Sequence, residues 1–291
     1  MELEKIFEIY AEKMTQVYLY QRSMQSLAKK ELEWLRKFNE SHNETSTGSS
    51  IPFSLNNMSF RRAVDGELVF FGQSRMSTEE KIVSIHVHKN KQYQWLLVEA
   101  YEEFEDCLEK LWAYLGCKNL DSWPLQDYGN VHLNELSGKN FKWFEEKASK
   151  KQGKPGSIIS TLRNKFPKIK EIENNNKLEI NLYLAIKLIE EIRHVIVHKG
   201  GVVGNKEDFI EKVLKNCGLF NSGKPQKEYE NFIKGFFGDG DYENHIILLE
   251  IPTKTNLRLG MYVNLFELIC GYMMSYIEVI KDILSEKESR L

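Results

Sequence analysis

Most of the marks by which a sequence declares its chemistry are missing from this chain of 291 residues. Its four cysteines, Cys107, Cys117, Cys217 and Cys270, show no CxxC spacing and no dense framework. That points away from a disulfide scaffold and predicts free thiols in a reducing compartment. There is no P-loop, no dinucleotide fingerprint and no serine-nucleophile elbow. Neither sign of charge dominates: 40 Lys and Arg stand against 42 Asp and Glu, a net charge of −2. Such a balance argues against coating nucleic acid through bulk charge, though not against a local basic site. The most apolar long window, Met261 to Ile280, contains Asn264, Glu267, Ser275 and Glu278, which a membrane span avoids. The first residues, Met1-Glu2-Leu3-Glu4-Lys5, lack a charged-then-apolar signal pattern. A cytoplasmic protein with no membrane partner is therefore expected. No internal repeat is visible.

What is present reads as an ordinary globular protein, with 42% hydrophobic and 28% charged residues. The length allows one large domain or two ordinary ones. Two regions are expected. Residues 1–76 hold an N-terminal helix (Leu3 to Phe38), a polar linker (His42 to Asn57) and a short strand at Glu67 to Phe71. Residues 77–291 hold a helical domain with loop-rich insertions near 118–176 and 218–256.

Within the second region, Ser77-Thr78-Glu79-Glu80 reads as a capping box. Leu97, Tyr101, Phe104, Leu108, Leu111 and Leu115 then form one helical stripe, which Gly116 is expected to end. Phe141 to Lys150, Ser157 to Phe166 and Glu207 to Asn216 suggest short helices. Phe220 to Tyr242 reads as loop-rich, and its aromatics Tyr229, Phe232, Phe236 and Phe237 suit a satellite core or a base-stacking surface. His245 to Ile251 reads as a strand stopped by Pro252, able to pair with the strand near Val69. Leu257 to Leu284 is a long helix, apolar nearly all round, as a buried core helix or a dimer seam requires. The class is mostly α with a small β supplement.

The most informative stretch is Glu190-Glu191-Ile192-Arg193-His194-Val195-Ile196-Val197-His198-Lys199-Gly200-Gly201. It closes a helical pattern beginning near Lys177. At about 100° per residue, Leu178, Leu182, Ala185, Ile186, Ile189, Ile196 and Val197 share a face, and Arg193 falls near its middle. A guanidinium keeps its charge and is costly to bury without a partner. Glu105, at the edge of the earlier stripe, is either that partner or a half-exposed helix-edge glutamate. His194 and His198, four apart, neighbour each other, and the glycine pair stops the helix.

Arg193, the polar His194 and the terminal His198 resemble the arginine, polar residue, then histidine pattern of the HEPN superfamily (higher eukaryotes and prokaryotes nucleotide-binding). Arg36 and His42, with five residues between them rather than four, also fit that pattern, which allows four to six. They run off a charged helix into a polar loop with no apolar stripe and are set aside. The resemblance implies an HEPN-like helical bundle and a metal-independent endoribonuclease acting on RNA as a homodimer, with no cofactor and no metal. It further implies a toxin or antiviral defence effector, with a cognate antitoxin or regulatory partner. The alternative within the same family is a non-catalytic scaffold binding a nucleotide or a partner protein. Under the nuclease reading His198 transfers a proton, Arg193 clamps phosphate, and His194 orients either one or assists. Glu105 supports Arg193.

The basic loop carrying Lys150, Lys151 and Lys154, together with Lys199, supplies phosphate-backbone contacts; alternatively that loop is simply solvated. Arg193 and His198 point about 140° apart on an ideal helix. Convergence thus needs an unwound last turn or a second copy across a two-fold axis. His86 and His88 suit a metal only on a strand, and their segment reads as helix.

Overall fold

The structure, a computed structural model, describes residues 2–43, 53–54, 58–72, 75–221, 224–252 and 262–288. Ten helices and four two-stranded ribbons among the described residues make the fold mostly α with a small β supplement. The chain divides into two compact units, residues 20–92 and residues 1–19 with 93–291. The division falls inside the two longest helices, α1 (Leu3–Asn43) and α2 (Thr78–Lys118).

The smaller unit has a thin core of Ala28, Leu35 and Ile85, with Leu32 and Ile82 packed against it. The short ribbon of β1 (Phe53–Ser54) and β4 (Arg75–Met76) accompanies the hairpin of β2 (Met58–Arg61) and β3 (Leu68–Phe71). In that hairpin Met58 opposes Phe71 and Arg61 opposes Leu68. The strand expected near Val69 is thus real, but its partner is local. Arg62 ties the turn by bonding both Asp65 and Glu67. The capping box forms as read: Ser77 N–H donates to Glu80 Oε2 at 2.7 Å, and Glu80 N–H donates to Ser77 Oγ at 3.1 Å. The polar stretch 42–57 lies largely outside the described residues.

In the larger unit α2 continues past Gly116 to Lys118, where an end at the glycine was expected. Gly116 serves packing instead. A Cβ there would lie 2.5 Å from the Trp123 ring, which stacks on Trp112 at 5.4 Å. Trp123 Nε1 also donates to the Trp112 carbonyl at 2.9 Å. Four short helices follow: α3 (Leu133–Leu136), α4 (Phe141–Ala148), α5 (Gly156–Lys165) and α6 (Pro167–Asn174).

The motif helix α7 (Leu182–Lys199) begins later than Lys177. Leu178 is exposed and precedes it. Asparagine chemistry prevails over apolar periodicity here: Asn176 Oδ1 accepts from Leu178 N–H, and Asn181 Oδ1 caps the helix through Leu184 N–H at 2.8 Å. Then come α8 (Lys206–Asn216), the ribbon β5 (Phe220–Asn221) with β6 (Lys224–Pro225), and α9 (Lys227–Lys234). Helix α9 forms inside the stretch whose composition reads as loop-rich, and Tyr229, Phe232, Ile233 and Phe236 have helical spacing. Phe236 and Phe237 are buried, and Phe232 packs on Phe236 and Tyr272, so these aromatics build core.

The expected His245–Ile251 strand is broken up. His245 and Ile246 make isolated bridges to Val202 and Phe237. Only β7 (Glu250–Pro252) pairs, with β8 (Tyr262–Asn264) and not with the strand near Val69. A two-stranded ribbon leaves open edges, where a proline without an N–H is tolerated. The closing helix α10 (Leu265–Glu288) is the centre of this unit. Phe266, Ile269, Cys270, Met273 and Ile277 are fully buried, each such hydrocarbon side chain contributing about 1.5–3 kcal/mol. The helix packs on α6 and α7, and Tyr276 meets Phe104 of α2. Among residues 265–286, only Glu278, Asp282 and Glu286 are exposed. Its apolar circumference is covered within one chain.

Candidate functional site

The last two turns of α7 carry the motif. Their position follows from how this helix is buried and stopped. Ile189, Ile192, Val195 and Ile196 face the core, and Arg193 lies at the border of that face rather than in its middle. Its side chain is 29% exposed, which lets the guanidinium head escape the apolar interior. The helix ends where expected. Gly200 takes a left-handed conformation, φ 64°, and Gly201 N–H bonds back to the Val195 carbonyl at 3.1 Å. Gly201, φ 85°, abuts Gln94 of α2, whose Nε2 donates to the Ile246 carbonyl at 2.8 Å. The end of the motif helix is therefore held by a buried side chain from α2.

A cavity of about 210 Å³ opens beside Arg193, with His194, Tyr101, Glu105, Lys154 and Lys212 among its lining. Of the expected site residues, it brings together Arg193, His194, Glu105 and Lys154. His198 is outside this lining, one turn further along. Its ring centroid lies 4.5 Å from that of His194, with planes 51° apart. The angular separation of Arg193 and His198 thus persists, with His194 between them. His194, His198 and Lys199 are all exposed at the helix end.

Of the two readings of Glu105, the half-exposed helix-edge glutamate is the one found, and the arginine's ion pair is made with another residue. Arg193 Nη2 lies 3.8 Å from Glu102 Oε1, and its guanidinium carbon is 5.9 Å from the centre of the Tyr101 ring. Arg193 Nε and Tyr101 Oη are both buried without a hydrogen-bond partner among the described residues. Tyr101 was read as core alone, and no feature of the stripe sets it apart from its neighbours. Burial raises the Tyr101 hydroxyl pKa strongly, and nearby carboxylates add to this. Burial also raises the Glu105 carboxyl, while Arg193 and Lys154 pull it back down.

Other charges at the cavity are already engaged. Lys154 is paired with Glu109. Lys212 Nζ meets Glu191 Oε2 at 2.7 Å, and Lys187 Nζ meets Glu190 Oε2 at 2.7 Å. Three carboxylates, Glu105, Glu190 and Glu191, balance the three fixed cations of the lining.

Two of the lysines expected to bind RNA lie elsewhere. Lys150 and Lys151 line a different cavity, and Lys151 is nearly buried against Asp127. His86 and His88 are exposed on helical backbone of α2. Among the described residues no group of three His, Cys, Asp or Glu is placed to hold a metal ion, and no helix is long and apolar enough to cross a membrane. No family model, curated protein or solved structure matches the chain.

Proposed function

We propose that this chain is a metal-independent endoribonuclease of HEPN type, acting as a homodimer. Its role is that of a toxin or antiviral effector in the cytoplasm, answerable to a cognate antitoxin or regulatory partner. One observation carries the reading: Arg193 and His194 line the same cavity, and His198 sits against His194. A phosphate clamp and two proton-transfer groups thus occupy one helix end. In the reaction, a histidine takes the proton of a ribose 2′-hydroxyl, and that oxygen attacks the adjacent phosphorus. The bond to the 5′-oxygen breaks, and this leaving oxygen receives a proton from the second histidine or from water. Arg193 balances the charge that builds on the phosphate oxygens. The products are a 2′,3′-cyclic phosphate and a 5′-hydroxyl. His194, nearer the arginine, takes the proton role at the cavity, and His198 supports it or acts from a second copy.

The even balance of carboxylates and cations favours a second reading, a non-catalytic scaffold binding a nucleotide or a partner protein, because a balanced cavity draws polyanionic RNA weakly. Incubating the purified chain with single-stranded RNA and chelator separates the two. The nuclease yields 5′-hydroxyl ends, and Arg193→Ala, His194→Ala and His198→Ala each lower the rate about 100-fold or more. Absence of cleavage, cleavage indifferent to all three substitutions, or strict dependence on added metal defeats it.

A further inference from the structure

Lys150 and Lys151 line a second cavity in the larger unit, of about 700 Å³, between α2, the turns after it and the start of α5. It shares no lining residue with the Arg193 cavity. The loop between α4 and α5 sends Lys150 and Lys151 into one and Lys154 into the other.

The charge of this second cavity is one-sided. Lys147, Lys150 and Lys151 face it against a single carboxylate, Asp127. Lys151 is paired with Asp127, and the two side chains are only 8% and 12% exposed. The pair fixes an ammonium in the wall, 5.4 Å from the centre of the Trp112 ring. Among the described residues, Lys147 and Lys150 have no carboxylate within ion-pair distance.

Unused hydrogen-bonding capacity lies beside these lysines. Trp112 is fully buried in the wall, and its indole N–H has no partner among the described residues. Ser157, Ser160 and Thr161 stand on one face of the first turns of α5. Ser157 and Thr161 donate to the carbonyls of Gln152 and Ser157 and keep their oxygens as acceptors. The start of α5 has no side-chain cap, since Pro155 occupies the cap position. Ser157 N–H is already taken by the Gly153 carbonyl at 2.8 Å, so what the helix start offers an anion is its positive dipole end.

We infer that this cavity binds a phosphate monoester of mononucleotide size. Lys147 and Lys150 hold the phosphate near the start of α5, and the body of the ligand lies along Ser160, Gln126 and the Trp112 wall. The volume falls within the range of small-molecule sites and far exceeds what inorganic phosphate alone fills. RNA fits less well: a backbone track needs a row of free cations, and Lys151 is buried and spent. The inference stands apart from the ribonuclease reading.

Equilibrium dialysis and thermal shift of the full chain test it, with AMP, UMP, glucose 6-phosphate, adenosine and inorganic phosphate as probes. The expected result is saturable binding of one phosphate monoester at one site per chain, with adenosine inert. Preference among the three esters tells a nucleotide from a sugar phosphate. Lys147→Gln with Lys150→Gln weakens binding at least tenfold. If that double variant melts differently from wild type, Lys150→Gln alone, at an exposed position, must still weaken it measurably. Arg193→Ala binds as wild type, which keeps this cavity's failure distinct from that of the ribonuclease site. The proposal falls if no monoester saturates, if inorganic phosphate binds as tightly as the esters, or if the lysine variants bind normally. It falls equally if Arg193→Ala abolishes binding, or if the lysine variants lose RNA binding while no monoester binds.

Discussion

Arg193 Nη2 lies 3.8 Å from Glu102 Oε1, while Glu105 lines the same cavity without an ion pair to the arginine. Glu102 is 64% exposed, so water screens the contact and the pair adds little. Glu102→Ala is expected to change unfolding free energy by no more than about 0.5 kcal/mol. Urea denaturation of the single variant measures this, and a loss several times larger would mean that the pair is sheltered.

Glu105 behaves differently because burial raises its carboxyl pKa in the folded state. A carboxyl with a raised folded pKa binds its proton more tightly when folded. Its stabilising contribution is therefore complete below the unfolded glutamate range and is lost as pH rises through the raised folded value. Glu105→Gln removes that dependence. Thermal melts across mildly acidic to neutral pH should show a flatter stability profile for the variant, with the difference largest at the neutral end. A variant profile parallel to wild type would contradict the burial-driven shift.

The dimer proposal now rests on the motif geometry, since α10 is covered within a single chain. Light scattering should report twice the chain mass of 34.1 kDa. Adding excess His198→Ala chain under subunit exchange should then depress RNA cleavage below simple dilution. A fully active monomer would end the shared-site idea.

Glu173 offers a test of the core beneath the motif helix. It is 1% exposed and accepts hydrogen bonds from Tyr276 Oη at 2.7 Å and Arg163 Nε at 2.9 Å. Arg163 also stacks on the Tyr183 ring of α7 at 3.5 Å. Glu173→Ala strands the arginine and the tyrosine hydroxyl and should cost about 3 kcal/mol. Tyr276→Phe removes one donor and should cost about 1 kcal/mol. Chemical denaturation ranks the two, and the reverse order would show that the hydroxyl matters more than the charge.

Gly201→Ala joins two penalties, a left-handed backbone and a Cβ placed 2.4 Å from Gln94 Oε1. A loss of about 2 kcal/mol is expected. Gln94→Ala in the same background should recover part of it by removing the clash, although Ile246 then loses a bond. If Gly201→Ala costs as much in the Gln94→Ala background as in wild type, the whole cost lies in the backbone.

The capping box at Ser77 and Glu80 and the glycine stop of α7 were legible because they depend only on residue types at fixed local spacing. The helical periods of α7 and of α10 from Leu265 onward were legible for the same reason, although Tyr262 to Asn264, read as part of the closing helix from Leu257, form β8. The start of α7 was not, because the side chains of Asn176 and Asn181 compete for backbone N–H groups over the very residues that continue the apolar period. Strand partners stay open because a short apolar run carries no sign of what it pairs with; the hairpin turn at 62–67 gives the strand near Val69 a local partner, and β7 pairs with β8. Which carboxylate meets Arg193 stays open in the sequence for a geometric reason. Glu102 and Glu105 lie one turn apart on α2, and only the crossing of α2 and α7 selects between them. Tyr101 and the lysine-lined cavity beside Trp112 were hidden because cavities arise between elements remote in sequence.

The glycine stop has one more consequence, for how this chain could diversify. Ile246 N–H bonds to the Gly201 carbonyl at 2.9 Å, Val203 N–H to the Asn244 carbonyl at 2.9 Å, and Val202 bridges His245. The chain thus departs and returns through adjoining backbone, so α8 and α9 lie on an excursion with a closed stem. The register of Arg193 and His198 is set before this excursion begins, by the glycine stop at Gly200 and Gly201. Yet α8, within it, delivers Lys212 to the rim of the arginine cavity. The exposed face of α8 is therefore the exchangeable part of this rim: it can change to suit a different ligand, while the buried Phe209, Ile210, Val213 and Leu214 keep the helix in the core beside α7.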